Sequence, residues 1–126
     1  MLYDYSLSYH DNERMPLAGT PTAFIELAKA FVSIGCKVTA LTSSKETYKS
    51  ENLYWGHLDD QVENTQYDLL IINVSPWLLE KYKDVKCKKK VLWIHNEAKY
   101  LLYWRRYKYI LKHCNTSVAV ATRTRQ

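Results

Sequence analysis

With 126 residues, 47% of them apolar and 13% aromatic, and only three Gly and three Pro, the chain can bury one globular core, which excludes disordered and fibrous classes. The Met1-Leu2-Tyr3-Asp4 start lacks the basic flank and apolar run of a signal peptide. The longest apolar stretch, Leu69 to Leu79, is broken by Asn73, Ser75 and Pro76 and is too short to span a bilayer. The net charge of +5 is unevenly placed. Residues 1–80 hold five Lys/Arg against eleven Asp/Glu, a net −6, whereas residues 81–126 hold thirteen against two, a net +11. That asymmetry predicts an anionic partner for the second part, a solvated basic surface there, or a basic surface facing an acidic domain that these residues do not include.

Met1 to Tyr9 alternates loosely and predicts a first strand near Leu2 to Leu7. The segment Tyr9-His10-Asp11-Asn12-Glu13-Arg14 reads as a polar loop at the edge where a parallel sheet meets its ligands, with His10 and Asp11 as candidate contacts. A helix follows, opening at Thr20, whose hydroxyl can cap free N–H groups, with Pro21 at the first helical position. Phe24, Leu27, Ala28 and Phe31 fall at i, i+3, i+4 and i+7 on one face, with Ile34 close to it. Glu26, Lys29 and Ser33 take the other faces. Gly35 serves as the C-cap, and Cys36 to Thr42, rich in β-branched and small apolar residues, predicts a strand covered by helices.

Ser43 to Ser50 reads as a second polar loop, Asn52 to Gly56 as a short strand, and His57 to Glu63 as a brief helix or turn. Asp59-Asp60 has no third ligand nearby in sequence, so a solvated acidic turn is expected rather than a metal site. Tyr67 to Val74 is the clearest buried strand. Ser75-Pro76 opens a short helix to about Tyr82, and Asp84 to Lys90 forms a basic connection. Lys90 to Asn96 predicts the next strand, with His95 at its C-terminal edge. A helix from Glu97 to His113 then carries Ala98, Leu101, Leu102, Ile110 and Leu111 on an apolar side. Arg105, Lys108 and Lys112 form a basic ridge among tyrosines, a pattern that suits anionic headgroups at a membrane interface and equally an ordinary solvated face. Ser117 to Ala121 supplies a last strand before the tail from Thr122 to Gln126. Cys36, Cys87 and Cys114 are odd in number, far apart and free of CxxC spacing, which argues against a disulfide framework or zinc. No Walker A, GxGxxG, HExxH, GxSxG or DxD motif is present.

One block of this pattern resembles a known family. Ala18-Gly19-Thr20, the helix Glu26-Leu27-Ala28-Lys29-Ala30-Phe31, the corner Ile34-Gly35-Cys36 and the strand Val38-Thr39-Ala40-Leu41-Thr42 resemble the start of the N-terminal domain of GT-B-type glycosyltransferases, particularly retaining family 4. That family has a Gly-rich turn, a helix of the form ELAKAL, an R-G-H corner and a V-T-V-L-T strand. It usually carries two adjacent glycines and a Glu where this chain has Ala18-Gly19 and Pro21. Tyr67-Asp68 resembles the family's Y-D-x-I-x strand, His95-Asn96 its H-D, H-N or H-G pair, and Thr122-Arg123 its turn after the last strand.

The resemblance implies transfer of a hexose from a nucleotide-sugar to an acceptor glycan or lipid hydroxyl, with no required metal or other cofactor. It implies that His95 meets the transferred sugar or its phosphate, and that Gly19, Thr20, His10, Asn96 and Glu97 line the substrate cleft. The donor would sit mostly on a C-terminal Rossmann-like domain bearing an E-x7-E motif, which these residues do not include, so residues 1–126 form the acceptor-side domain, a fragment or half-enzyme inactive alone. The expected fold is α/β, a Rossmann-like, mostly parallel sheet of five or six strands with helices on both faces. The expected location is cytoplasmic, peripheral at the inner membrane face through Arg105, Lys108 and Lys112; nucleic acid is not a partner that the resemblance implies. Two rivals remain open: a free-standing Rossmann-like module whose basic helix holds an anionic partner such as nucleic acid, and a half-enzyme that assembles with a separate donor-binding subunit.

Overall fold

The computed structural model of the protein describes residues 1–17, 19–60, 66–95, 108 and 116–120. Its architecture is α/β, with seven mostly parallel strands and helices. Two compact units divide the chain, Met1–Gln61 and Val62–Gln126.

The first unit contains β1 (Leu2–Tyr3), α1 (Asp11–Arg14), α2 (Gly19–Ser33), β2 (Val38–Thr42), β3 (Tyr48–Ser50) and β4 (Leu53–His57), with its strands in the order β3-β4-β2-β1. β2 runs parallel to β1, from Leu2↔Leu41, and parallel to β4, from Val38↔Leu53 to Thr42↔His57. Side chains on both faces of β2 are covered, which its β-branched and small residues tolerate. The first strand is shorter than the predicted Leu2 to Leu7. Tyr5 N–H donates to the Tyr3 carbonyl and Leu7 N–H to that of Tyr5, so the chain bends immediately after Tyr3. Within the expected polar loop, Asp11 Oδ2 accepts the Ser8 N–H at 2.8 Å, as in a capping box, and the single turn α1 forms.

The α2 helix starts at Gly19, making Thr20 its second residue instead of its cap; Pro21 stays in the first turn, where amide groups have no intrahelical acceptor. The buried face is also rotated from the predicted one. Pro21, Phe24, Ile25 and Ala28 are buried, Leu27 and Phe31 only half-buried, and Ile34 is 75% exposed. The Phe24 ring decides this orientation, with centroids 5.2 Å from Tyr3 and 5.5 Å from Trp55, the latter edge-on at 82°. Gly35 ends the helix as expected, at φ 93°, with Cys36 N–H bonded to the Phe31 carbonyl at 2.9 Å and Gly35 N–H to that of Val32 at 3.1 Å, the two bonds of a Schellman cap. The polar stretch from Ser43 hides β3, which turns back through Glu51-Asn52 and pairs antiparallel with β4, so not every neighbouring pair of strands points the same way.

The second unit contains β5 (Tyr67–Asn73), α3 (Leu78–Lys81), β6 (Cys87–Ile94) and β7 (Thr116–Val120) in the order β5-β6-β7, all parallel. Leu70, Ile71, Ile72 and Asn73 are all buried, as the continuous apolar run predicts. The strand stops before Val74 because that residue takes φ 69°, a conformation no strand contains. Pro76-Trp77 forms a turn, and the helix begins only at Leu78. The expected basic connection is partly strand: Lys88 and Lys89 lie in β6 opposite the exposed start of β5, with Lys88 Nζ 3.3 Å from Asp68. With β3 added, the strands among the described residues number seven, where five or six were expected. The helix expected over Glu97 to His113 lies outside the described residues except for Lys108, which is helical and exposed. No helix among the described residues is long and apolar enough to cross a membrane.

Candidate functional site

In parallel pairing, residues in register share a face, and side chains two apart on a strand return to that face. Asn73 is in register with Trp93, so Asn73, Trp93 and His95 project together at the C-terminal ends of β5 and β6, the edge where open α/β sheets hold their ligands. The imidazole is held from two directions. Its Nε2 lies 2.7 Å from Asn73 Oδ1, and its ring centroid is 4.2 Å from that of Trp93 at 46°. A carboxamide oxygen only accepts, so across this contact Nε2–H is the donor.

Asn73 itself is fully buried, yet its Nδ2 has no hydrogen-bond partner among the described residues. Beside it, Ser75 N–H closes a tight turn onto the Asn73 carbonyl at 2.8 Å around Val74, while Val74 N–H donates to the Trp93 carbonyl at 2.8 Å. A β-branched residue at φ 69° is strained, and strain of this kind collects at functional sites.

The first unit builds a second cluster at the ends of β1, β2 and β4. The Leu7 carbonyl accepts Thr42 Oγ1–H at 2.7 Å and Trp55 Nε1–H at 3.0 Å, and the Ser8 and Ser44 hydroxyls meet at 2.7 Å. These buried bonds pin the segment after β1 to the one after β2. Outside them Arg14 forks onto Glu46 at 2.7 and 2.9 Å, and that hydrogen bond holds the Glu46 carboxyl below its usual range. Tyr9 stacks on Tyr48 at 4.2 Å, the His10 ring stands edge-on to both, and Lys29 Nζ lies 5.3 Å over the Tyr9 ring. His10 Nδ1 is 3.2 Å from Glu13 Oε2. Asp60 Oδ2 accepts the Tyr54 hydroxyl at 2.7 Å and the His57 N–H at 2.9 Å. Both bonds lower its carboxyl below the ordinary value, the hydroxyl contributing more.

Of the predicted site residues, His10 sits in the aromatic cluster, Gly19 is exposed and Thr20 half-buried at the start of α2, and His95 occupies the strand-end site of the second unit. Asn96, Glu97, Arg105 and Lys112 lie outside the described residues, and Lys108 is exposed. Asp11 contributes as a local cap for Ser8. Among the described residues no group of His, Cys, Asp or Glu could hold a metal ion. Cys36 is exposed and Cys87 half-buried; both are free thiols, and burial raises that of Cys87, which makes it less reactive. Asn73 was missed by sequence reasoning, which treats it as one more position of a buried strand; a polar residue at the last place of an apolar run was the available signal. Compared with protein-family models, with curated proteins and with solved structures, the chain matches none.

Proposed function

We propose that the chain is the acceptor-side α/β domain of a GT-B-type glycosyltransferase, part of an enzyme that transfers a hexose from a nucleotide-sugar to an acceptor glycan or lipid. The observation that carries this reading is the His95 imidazole fixed at the end of β6 by Asn73 and Trp93. Held in this way, the His95 ring meets the transferred hexose or its phosphate and orients the anomeric carbon toward the acceptor. Asn96 and Glu97, the next residues in sequence, extend the substrate contacts. Gly19 and Thr20 offer the N-terminal amides of a 15-residue helix to an anionic or hydroxyl group, and His10 contacts the acceptor. The donor diphosphate is bound by a second, donor-side domain or subunit, no metal takes part, and Arg105, Lys108 and Lys112 hold the enzyme at the cytoplasmic face of an anionic membrane.

The test is transfer of labelled hexose from UDP- and GDP-sugars to glycan and lipid extracts by the full gene product with its donor-binding partner. His95→Ala is expected to lower the rate by about 10²-fold or more while the far-UV spectrum is unchanged. Failure to consume any nucleotide-sugar, or transfer that is indifferent to His95→Ala, overturns the proposal.

A further inference from the structure

The first unit sets a tyrosine ring at its rim in a fixed plane. Tyr48 opens β3 opposite Trp55, near the carboxyl end of β4. One face of its ring lies on Tyr9 at 4.2 Å and 4°, and the His10 ring stands edge-on to it at 4.9 Å and 82°. Tyr9 is braced in turn by Trp55, edge-on at 5.8 Å. Among the described residues β3 is the last strand on its side of the sheet and Tyr48 is only half-buried, so the exposed part of the ring includes its second face. A flat aromatic surface backed on one side loses little freedom when a second ring settles on the other, which makes it a preorganised stacking platform.

Polar tips border that platform. The Tyr9 and Tyr48 hydroxyls and His10 Nε2 have no hydrogen-bond partner among the described residues, while His10 Nδ1 is held 3.2 Å from Glu13 Oε2. Charge then selects the ligand. Arg14 is engaged by Glu46 and Asp11, and Lys29 sits over the Tyr9 ring. A phosphate or carboxylate would meet the Glu13 and Glu46 carboxylates in a unit with five basic against eight acidic residues. A neutral ring with an apolar face and a rim of hydroxyls matches both the platform and its border. We propose that the exposed face of Tyr48 is a stacking subsite for a pyranose ring, whose hydroxyls bond His10 Nε2 and the Tyr9 hydroxyl. A sugar hydroxyl both donates and accepts, so either tautomer of His10 serves. The inference rests on the acceptor-side reading of this domain and adds that the acceptor is held through a sugar ring.

The test is a 15N–1H titration of the protein with maltotriose, cellotriose and triacetylchitotriose at millimolar concentration, with uridine monophosphate as the charged control. At least one oligosaccharide is expected to move the amide signals of Tyr9, His10 and Tyr48. Tyr48→Leu, which still covers Tyr9 but presents no flat face, weakens that sugar about tenfold or more. Should Tyr48→Leu fail to fold, His10→Ala takes its place, with an expected loss of about fivefold. Signals unmoved by all three sugars, affinity unchanged in the variant, or uridine monophosphate bound at Tyr48 more tightly than any sugar overturns the proposal. In the transfer assay Tyr48→Leu raises the acceptor KM about tenfold and lowers kcat little, because ground state and transition state lose the same contact. Sugar binding at Tyr48 by a protein that transfers no hexose leaves the subsite standing and sinks the glycosyltransferase reading. Transfer whose acceptor KM ignores Tyr48→Leu does the reverse.

Discussion

Tyr54 and Asp60 meet across Gly56. A β-carbon on that glycine would run into the Asp60 carboxylate and the Tyr54 ring, so the residue type at position 56 is set by a hydrogen bond that passes over it. The carboxyl of Asp60 is held low, chiefly by the Tyr54 hydroxyl and then by the His57 amide. A depressed carboxyl stabilises the native state fully above its unfolded value, about 4, and loses that contribution as pH falls through the folded value. Tyr54→Phe removes the larger cause. Its deficit in unfolding free energy is expected to be about 1 kcal/mol near neutrality, reduced from a buried bond by partial solvation, and to shrink toward zero below about pH 4. Urea melts of both proteins across acid pH measure this, and a deficit that is constant with pH refutes the assignment. None of it was legible in the sequence, where Asp59-Asp60 reads as a solvated turn: the opposing hydroxyl comes from a neighbouring position on β4 whose orientation only the folded strand defines.

At the scale of elements, α2 shows what periodicity can and cannot decide. Its existence, length and Gly35 cap follow from spacing and turn chemistry, and the Schellman bonds form where expected. The buried face does not follow, because apolar residues at positions 21, 24, 25, 27, 28, 31, 32 and 34 allow two overlapping stripes, and tertiary packing chooses between them. Phe24 touches Tyr3 and Trp55 and is wholly buried, whereas Ile34 is 75% exposed. Phe24→Ala is therefore expected to cost about 3–5 kcal/mol and Ile34→Ser less than about 0.5 kcal/mol. Comparable losses from the two variants in chemical denaturation would mean that the helix faces the other way. The same logic explains β3 and the start of β6. Tyr48-Lys49-Ser50 and Cys87-Lys88-Lys89 are exposed on both faces for much of their length, so no apolar alternation marks them; they are strands because a neighbour offers main-chain partners. His95 could be singled out because it follows a legible run, but its partner Asn73 depends on the register of β5 against β6, which sequence does not carry.

Across the whole molecule the charge imbalance follows the two units. Met1–Gln61 has five basic against eight acidic residues, a net −3, and Val62–Gln126 has thirteen against five, a net +8. Lys86, Lys88, Lys89 and Lys108 are exposed, and the Lys88–Asp68 pair, open to solvent on both sides, offsets little of this charge. A cationic surface of this kind gains about 1 kcal/mol per basic side chain at an anionic bilayer and loses it beyond a Debye length of about 8 Å at physiological salt. The membrane part of the proposed function therefore makes a claim about which unit docks. Sedimentation with vesicles containing phosphatidylserine is expected to pull down the protein at low salt and to release it as salt rises. Arg105→Glu with Lys108→Glu removes two attractive contacts, about 2 kcal/mol, and weakens binding roughly thirtyfold. Lys37→Glu with Lys45→Glu, exposed positions in the acidic first unit, changes the same net charge and is expected to leave vesicle binding within about twofold, because attraction is local to the docked face. Equal losses from the two double variants would make net charge alone the cause, and binding to neutral vesicles as strong as to anionic ones would remove electrostatics from the account.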